Sequence, residues 1–278
     1  MSKKNYSGVV EKAREYYNSD DADKFYYDVW GGEDIHIGLY EGPDHPIRDA
    51  SQKTVEKMAS CIQNIGKDSK VLDAGAGFGG AARYLAKEYG CHVVALNLSE
   101  KQNERDRQMN KEQGLDNLID VVDGDFENLP YEDGTFDVIW SEDSFLHSGN
   151  REKVMQELHR VLKKGGELIF TDPMQSPDAK KEDLQPVLDR IHLETMGSFK
   201  FYEEQASKLG METIQIIDLS HQLPEHYSRV AAELKEKTAK MNHISQEYVD
   251  RMLKGLSHWV EAGRKGALNW GILHFKKK

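Results

Sequence analysis

Asp73 stands two residues ahead of the run Gly75-Ala76-Gly77-Phe78-Gly79-Gly80 and directly behind the apolar pair Val71-Leu72. Glycines between a strand and a helix permit a sharp bend and let a ligand come close to the backbone. Gly75, Gly77 and Gly80 also fit the GxGxxG spacing of dinucleotide sites, so the glycines alone do not decide the ligand. Two other residues do. Asp73 lies where a nicotinamide-binding strand carries an apolar residue, and Asn97-Leu98 follows the next apolar run where an NAD ribose would need an acid. Further along come Gln102, Gly124-Asp125-Phe126, Ser141 and His147. Each follows an apolar run by a few residues or ends one, which puts it where open α/β sheets bind ligands. Tyr17, Tyr26, Tyr27 and Trp30 form an aromatic group near the N-terminus, and Arg190, His226 and Tyr227 are polar candidates in the second half.

The period of the apolar residues outlines the elements that must position these groups. Val71–Asp73, His92–Leu96, Ile119–Val122, Phe136–Trp140 and Leu168–Phe170 read as short strands. Between them, Ala81–Tyr89, a stretch capped by Ser99 and ending near Gln113, and one capped by Asn150 carry helical spacing. Gly165-Gly166 is expected to close the last helix. Alternation of this kind predicts a parallel sheet covered on both faces. Ahead of it, Val9–Tyr17 and Asp49–Ile62 read as helices, Asp20–Asp23 as a break, and Gly31–Pro46 as an irregular loop. After Pro173 the alternation stops. Pro173–Gly197 reads as mostly helical, Ser198–Leu209 as a helix, Thr213–Ile217 as a strand, Pro224–Leu256 as a long helical stretch and Asn269–Phe275 as a final strand. Three parts follow: a helical and aromatic cap over 1–66, a cofactor-binding core over 67–172, and the rest of the sheet with helical lid insertions over 173–278.

Composition narrows the class. A hydrophobic content of 38% in 278 residues suffices for a packed core and argues against disorder. The net charge of −11 opposes nucleic acid and anionic membranes. Cys61 and Cys91 lack CxxC spacing and read as reduced thiols. Residues 1–15 have no apolar signal region, and no apolar run nears the roughly 20 residues of a membrane span, so a cytoplasmic protein is expected. His36, His45, His221 and His226 show no metal-ligand spacing, and no metal is expected.

The segment Lys70–Thr171 resembles the class I S-adenosylmethionine-dependent methyltransferases, with a Rossmann-like, mostly parallel seven-stranded sheet. The resemblance implies that Asp73 holds the methionine end of the cofactor. Gly75, Ala76, Gly77 and Gly79 flank it, Asn97 lies at the ribose, and Leu98 and Gln102 are further cofactor contacts. Asp125 and Phe126 meet the adenine, and Ser141 is a further contact. Asn97 departs from the family's usual acid, but its amide can still bond a ribose hydroxyl. Asp137, in Phe-Asp-Val-Ile-Trp, is given a structural role.

Outside that core the chain is similar to small-molecule N-methyltransferases, and more narrowly to the sarcosine/dimethylglycine methyltransferases of glycine betaine synthesis. The similar stretches include Tyr26–Tyr40, Ser141–Ser148, Thr171–Met174, Gln185–Ile191, Met196–Ser198, His226–Ser228 and His258–Glu261. This implies a small amine acceptor and an osmoprotectant product. Methyl transfer is an in-line attack on a sulfonium methyl by a free lone pair. An alkylamine has a pKa of roughly 10, so a site must select its neutral form by desolvation or with a base. The product is a permanent cation, which aromatic faces stabilise; Trp30, Tyr26, Tyr27 and Tyr17 are candidates for such a wall. Arg190 suits the acceptor carboxylate, with His226 and Tyr227 behind it. By resemblance to the phosphoethanolamine enzymes, His147 pairs with Tyr17 or Tyr26 to close the site.

By residue type alone, an aromatic cluster is core packing, a lone His a hydrogen-bonded residue and a lone Arg a surface ion pair. Alternatives that stay open are a phosphoethanolamine enzyme, a cyclopropane-synthase-like lipid enzyme, a nicotinamide-dependent dehydrogenase, and a protein that binds the cofactor without turnover. A monomer or small homo-oligomer is expected.

Overall fold

In the computed structural model, which describes residues 8–30, 32–42, 44–238 and 245–278, the apolar runs assemble into one seven-stranded sheet. The strands are β1 (Lys70–Ala74), β2 (His92–Asn97), β3 (Ile119–Asp123), β4 (Phe136–Glu142), β5 (Leu162–Thr171), β6 (Met174–Gln175), β7 (Met211–Asp218), β8 (Leu268–Asn269) and β9 (Gly271–Lys277). The sheet order is β3-β2-β1-β4-β5-β9-β7, and β6 pairs with β8 in a separate small ribbon. Strands β3, β2, β1, β4 and β5 are parallel; β9 runs antiparallel to both β5 and β7. The strand order reverses between β1 and β4. A crevice therefore opens at their carboxyl ends, the usual ligand position in such sheets.

Ten α-helices accompany the strands among the described residues: α1 (Gly8–Tyr17), α2 (Asp20–Phe25), α3 (Ile47–Ala59), α4 (Gly80–Tyr89), α5 (Glu100–Glu112), α6 (Arg151–Val161), α7 (Lys181–Ile191), α8 (Phe199–Lys208), α9 (Gln222–Thr238) and α10 (Gln246–Arg264). Caps foreseen at Ser99 and Asn150 form: Ser99 Oγ accepts from the Gln102 N–H and Asn150 Oδ1 from the Lys153 N–H.

Three local readings change. Asp20–Asp23 does not break the chain but opens α2, because Ser19 Oγ caps the Ala22 N–H and the acids suit the positive end of the helix. A π-helical turn, Tyr26–Trp30, follows directly. Gly165-Gly166 does not close α6, which ends at Val161 and passes straight into β5. The expected helical stretch 224–256 is divided between α9 and α10; residues 239–244, like Gly31 and Pro43 in the expected loop, lie outside the described residues.

Three apolar clusters hold these layers. One face of the sheet packs Leu72, Leu96, Ile139 and Phe170 with α6 and α8, and the other packs Val71, Val93, Val138 and Trp140 with α3 and α4. The third joins Phe25, Val29 and Trp30 to Leu184, Val230, Leu256 and Trp259. The N-terminal aromatic segment and the late helices therefore share one core and form a single cap over the strand ends. Among the described residues no helix is long and apolar enough to cross a membrane.

Candidate active site

Two adjoining cavities lie under the cap. The first is lined by Gly75 and Gly77 of the glycine turn, Asn97 at the end of β2 with Leu98 and Gln102 beyond it, Asp125 and Phe126 after β3, and Glu142 at the end of β4 with Asp143 and Ser144 beyond it. Gly75 has φ +94°, and a Cβ there would overlap Ser144 Oγ, so this position requires glycine. The Asn97 amide donates to Gln102 Oε1 at 3.0 Å, while the buried Gln102 Nε2 has no partner. Asp125 is fixed as an acceptor by the Glu127 and Asn128 N–H groups at 2.9 and 3.0 Å. Asp73 is not on the cavity wall. It is fully buried at the strand end behind it, with Oδ2 unpartnered, and burial holds its pKa well above the usual carboxylate range.

Glu142 and Asp143 on this wall belong to a cluster of charged groups with His36 and Asp34. His36 Nε2 is 3.3 Å from Glu142 Oε1 and 3.8 Å from Asp34 Oδ1, with Asp143 also near. Burial alone would depress the imidazolium, but these carboxylates outweigh it and raise His36 to about 10. The surplus of carboxylates suits a ligand bearing a sulfonium and an ammonium. Gln102 Nε2, which has no hydrogen-bond partner, and the Glu142 carboxylate both line the cavity and are the groups such a ligand would meet. One consequence is measurable without ligand. An unfolded histidine releases its proton near pH 6.5, whereas His36 keeps it to about 10. The native state binds the extra proton across that window, so stability must fall as pH rises through it. Thermal melts from pH 7 to 9.5 should show a declining Tm. The slope should flatten in His36→Gln, and an unchanged slope there would contradict this charge assignment.

The second cavity, about 660 Å³, adjoins the first at a shared wall of Ala13, Tyr17, Ile35, Asp143 and His147. The Tyr17 hydroxyl and His147 Nε2 are hydrogen bonded at 2.9 Å. Burial lowers His147 to about 4, so the imidazole is neutral near pH 7, and burial raises the Tyr17 phenol. Of the two tyrosines expected to pair with His147, Tyr17 is the one hydrogen bonded to it. The Tyr26 ring packs on Tyr17 at 5.5 Å and on Trp30 at 5.3 Å. Tyr227, stacked on Trp259 at 4.9 Å, continues the aromatic lining. Arg190 also lines the cavity. Its Nη2 meets Met252 Sδ at 2.9 Å, Nη1 donates to the Arg251 carbonyl at 3.4 Å, and among the described residues no carboxylate pairs with it.

Several candidates fall elsewhere. Tyr27 is 38% exposed, edge-on to Phe78 and covered by the Arg105 guanidinium, so it takes no part in the acceptor wall. His226 is turned toward the loop after Trp30, where Nδ1 accepts from the Gly38 N–H and the Tyr40 hydroxyl. Ser141 spends its hydroxyl on the Ala74 carbonyl inside the sheet. Ala76 gives its N–H to the Leu96 carbonyl, and Gly79, the N-cap of α4, faces the Asp106 carboxylate. Asp137 is structural: it accepts from the Lys70 N–H and pairs with Lys163.

Other residues at the site were not singled out by sequence. Tyr16, Arg251 and Met252 line the second cavity, Val10 lines the first, and Ala13 and Ile35 line both. Arg83 is 1% exposed beneath the glycine turn, where it binds Asp106, Asn110, Glu33 and the Phe78 carbonyl.

A sheet of this order, with an acid and a glycine turn closing β1 and an acid after β3, defines a class I methyltransferase. The model of the family described as "Methyltransferase domain" matches residues 72–170. The chain is 60% identical to a sarcosine/dimethylglycine N-methyltransferase of Halorhodospira halochloris, over 97% of each chain. It is 53% identical to one of Aphanothece halophytica, over 97% of this chain and 98% of that one. The crystal structure of a proposed sarcosine dimethylglycine methyltransferase from Galdieria sulphuraria superposes with a TM-score of 0.89 at 43% identity, covering 95% of this chain and 99% of that one. The chain belongs to the sarcosine/dimethylglycine N-methyltransferase family.

Proposed function

We propose that this enzyme moves the methyl group of S-adenosylmethionine to the amine nitrogen of sarcosine and of dimethylglycine, giving glycine betaine. The observation that carries the reading is Arg190: a guanidinium with no carboxylate partner among the described residues, in an aromatic cavity that adjoins the cofactor cavity at Tyr17 and His147. A carboxylate held there in the planar fork of the guanidinium leaves its amine to the aromatic end.

When bound, S-adenosylmethionine supplies an electrophilic methyl on a sulfonium. Asn97, Gln102, Asp125 and Phe126, with the backbone at Gly75 and Gly77, are the residues that would hold it, and Asp73 stands buried behind them. Tyr17 and His147 form a neutral wall between the two ligands. A protonated His147 would set a cation beside two others, and its burial prevents that. Asp143, which faces both cavities, is fixed by the Trp270 Nε1–H and the Ile37 N–H, both at 2.7 Å. Its charge offsets positive charge on either side. The aromatic lining favours the neutral amine, and Tyr26, Trp30 and Tyr227 favour the quaternary product. Orientation supplies the remaining acceleration, with no general base required.

Incubation with methyl-labelled cofactor and, separately, glycine, sarcosine, dimethylglycine and phosphoethanolamine tests the reading. Label is expected in dimethylglycine and betaine. Label confined to the phosphoethanolamine reaction would refute the amino-acid acceptor. Tyr17→Phe strands a buried histidine nitrogen, a loss of about 1–3 kcal/mol, or roughly 5- to 150-fold in kcat. Adding His147→Ala to it should cost little more, because the pair acts as a unit. Full additivity would mean that the two residues act separately. The reading also takes the enzyme as cytoplasmic, free of nucleic-acid partners, and a monomer or small homo-oligomer; light scattering of the purified protein checks the last point.

A further inference from the structure

Gly255 lies in the middle of α10, where glycine is the least favourable residue short of proline. Its missing side chain has a specific neighbour. A Cβ built at this position would overlap Nη1, Cζ and Nε of Arg190. The guanidinium thus lies flat on one turn of α10, over the bare backbone of Gly255, with the Arg251 carbonyl and Met252 Sδ as its polar contacts. Neither contact carries a charge, so the position is fixed while the cation stays available. Arg190 is the penultimate residue of α7, and His192, in the left-handed region at φ 56°, turns the chain immediately after it. The Arg190 charge reaches the opposite wall, where it acts on Tyr17 and Tyr227.

We propose that Gly255 is a specificity-determining residue: by carrying no side chain it holds Arg190 back against α10 and so sets the amine-to-carboxylate span of the acceptor. This rests on the reading of Arg190 as the carboxylate holder. The argument is steric. Leu256, Trp259 and Val260 pack α10 into the cap core, so the helix backbone cannot yield. The tip of a long arginine can. A methyl group at 255 would therefore push the guanidinium off the helix and into the cavity, shortening the space between it and the Tyr17–His147 wall.

The test compares Gly255→Ala, Arg190→Ala and the double variant as full-length proteins, using dimethylglycine and its one-carbon-longer homologue N,N-dimethyl-β-alanine. Gly255→Ala is expected to lower kcat/KM for dimethylglycine at least 10-fold, mainly through KM. The longer homologue should lose more, so the ratio between the two substrates rises. Cofactor affinity should stay within two-fold, and Tm should not fall, since alanine favours the helix. In the Arg190→Ala background the alanine at 255 should have no further effect on KM. Should Gly255→Ala fold poorly, the double variant should recover, because the overlapping group is gone. An unchanged KM and substrate ratio in Gly255→Ala, beside a raised KM in Arg190→Ala, would overturn the role of Gly255 alone. An unchanged KM in Arg190→Ala would overturn the carboxylate reading and this inference with it.

Discussion

Gly75→Ala is expected to weaken binding of S-adenosylhomocysteine about 100-fold or more, a loss of about 2.7 kcal/mol. Two costs add. A residue with a Cβ pays about 1–2 kcal/mol to enter the left-handed region, and Gly75 sits at φ +94°. The new methyl would also occupy the place of Ser144 Oγ, which is tied to the Gly75 and Glu142 carbonyls at 3.2 and 2.9 Å. Any escape must move residues 142–144, two of which are buried carboxylates of the charge cluster. Tm should fall by roughly 5–10 °C, as a loss of 2–3 kcal/mol implies for a domain of this size. Calorimetric titration and thermal melts measure both. Ser144→Gly in the same background should recover part of the affinity by removing the overlap while leaving the backbone cost. An alanine variant with parental affinity would take the glycine turn out of the cofactor site.

Arg190→Ala should raise KM for dimethylglycine by about 30- to 100-fold, the equivalent of roughly 2–2.8 kcal/mol for a charge-assisted pair. Cofactor affinity should not change, because Arg190 lines only the acceptor cavity. Stability should hardly change either. The usual penalty for breaking a buried ion pair comes from the stranded partner, and no described carboxylate pairs with this guanidinium. Arg190→Lys should recover only part of the loss, since an ammonium cannot present a planar fork. Steady-state kinetics with either substrate varied separates these outcomes. A fall in kcat at unchanged KM would mean that Arg190 shapes the site without touching the acceptor.

The sheet was legible because parallel strands are buried on both faces. Val71-Leu72, Val93–Leu96 and Val138–Trp140 therefore stand out as apolar runs against the helical spacing between them. The glycine turn was legible because backbone conformation limits which residues fit there. The acceptor side was harder. Tyr26 and Tyr27 are adjacent in a helical turn and so cannot face the same way; only the folded chain tells which one meets the cavity. Trp259 sits on a regular apolar stripe of α10, where a cavity wall and a core contact have the same spacing. Arg83 reads as a solvated helix residue because its partners come from three other segments. His36 lies in an irregular loop, where no periodicity marks it, and its carboxylate neighbour Glu142 is distant in sequence.

The pairing of β7 with β9 has a wider consequence. Asp218 and Gly271 face each other across that ladder, so residues 219–270 leave the sheet and return to the same point. Closing a longer loop costs only logarithmically more. Helices α9 and α10, with Tyr227, Met252, Gly255 and Trp259, thus hang on the scaffold as a cassette whose size the sheet scarcely registers. The glycine turn, Asp73 and Asp125 lie outside it. Divergence toward new acceptors can proceed within this insertion, provided that it keeps Trp270, whose Nε1–H holds Asp143, and the contacts of α9 and α10 with the N-terminal aromatic segment and α7; a chimera carrying a relative's residues 219–270 therefore needs that relative's cap residues as well.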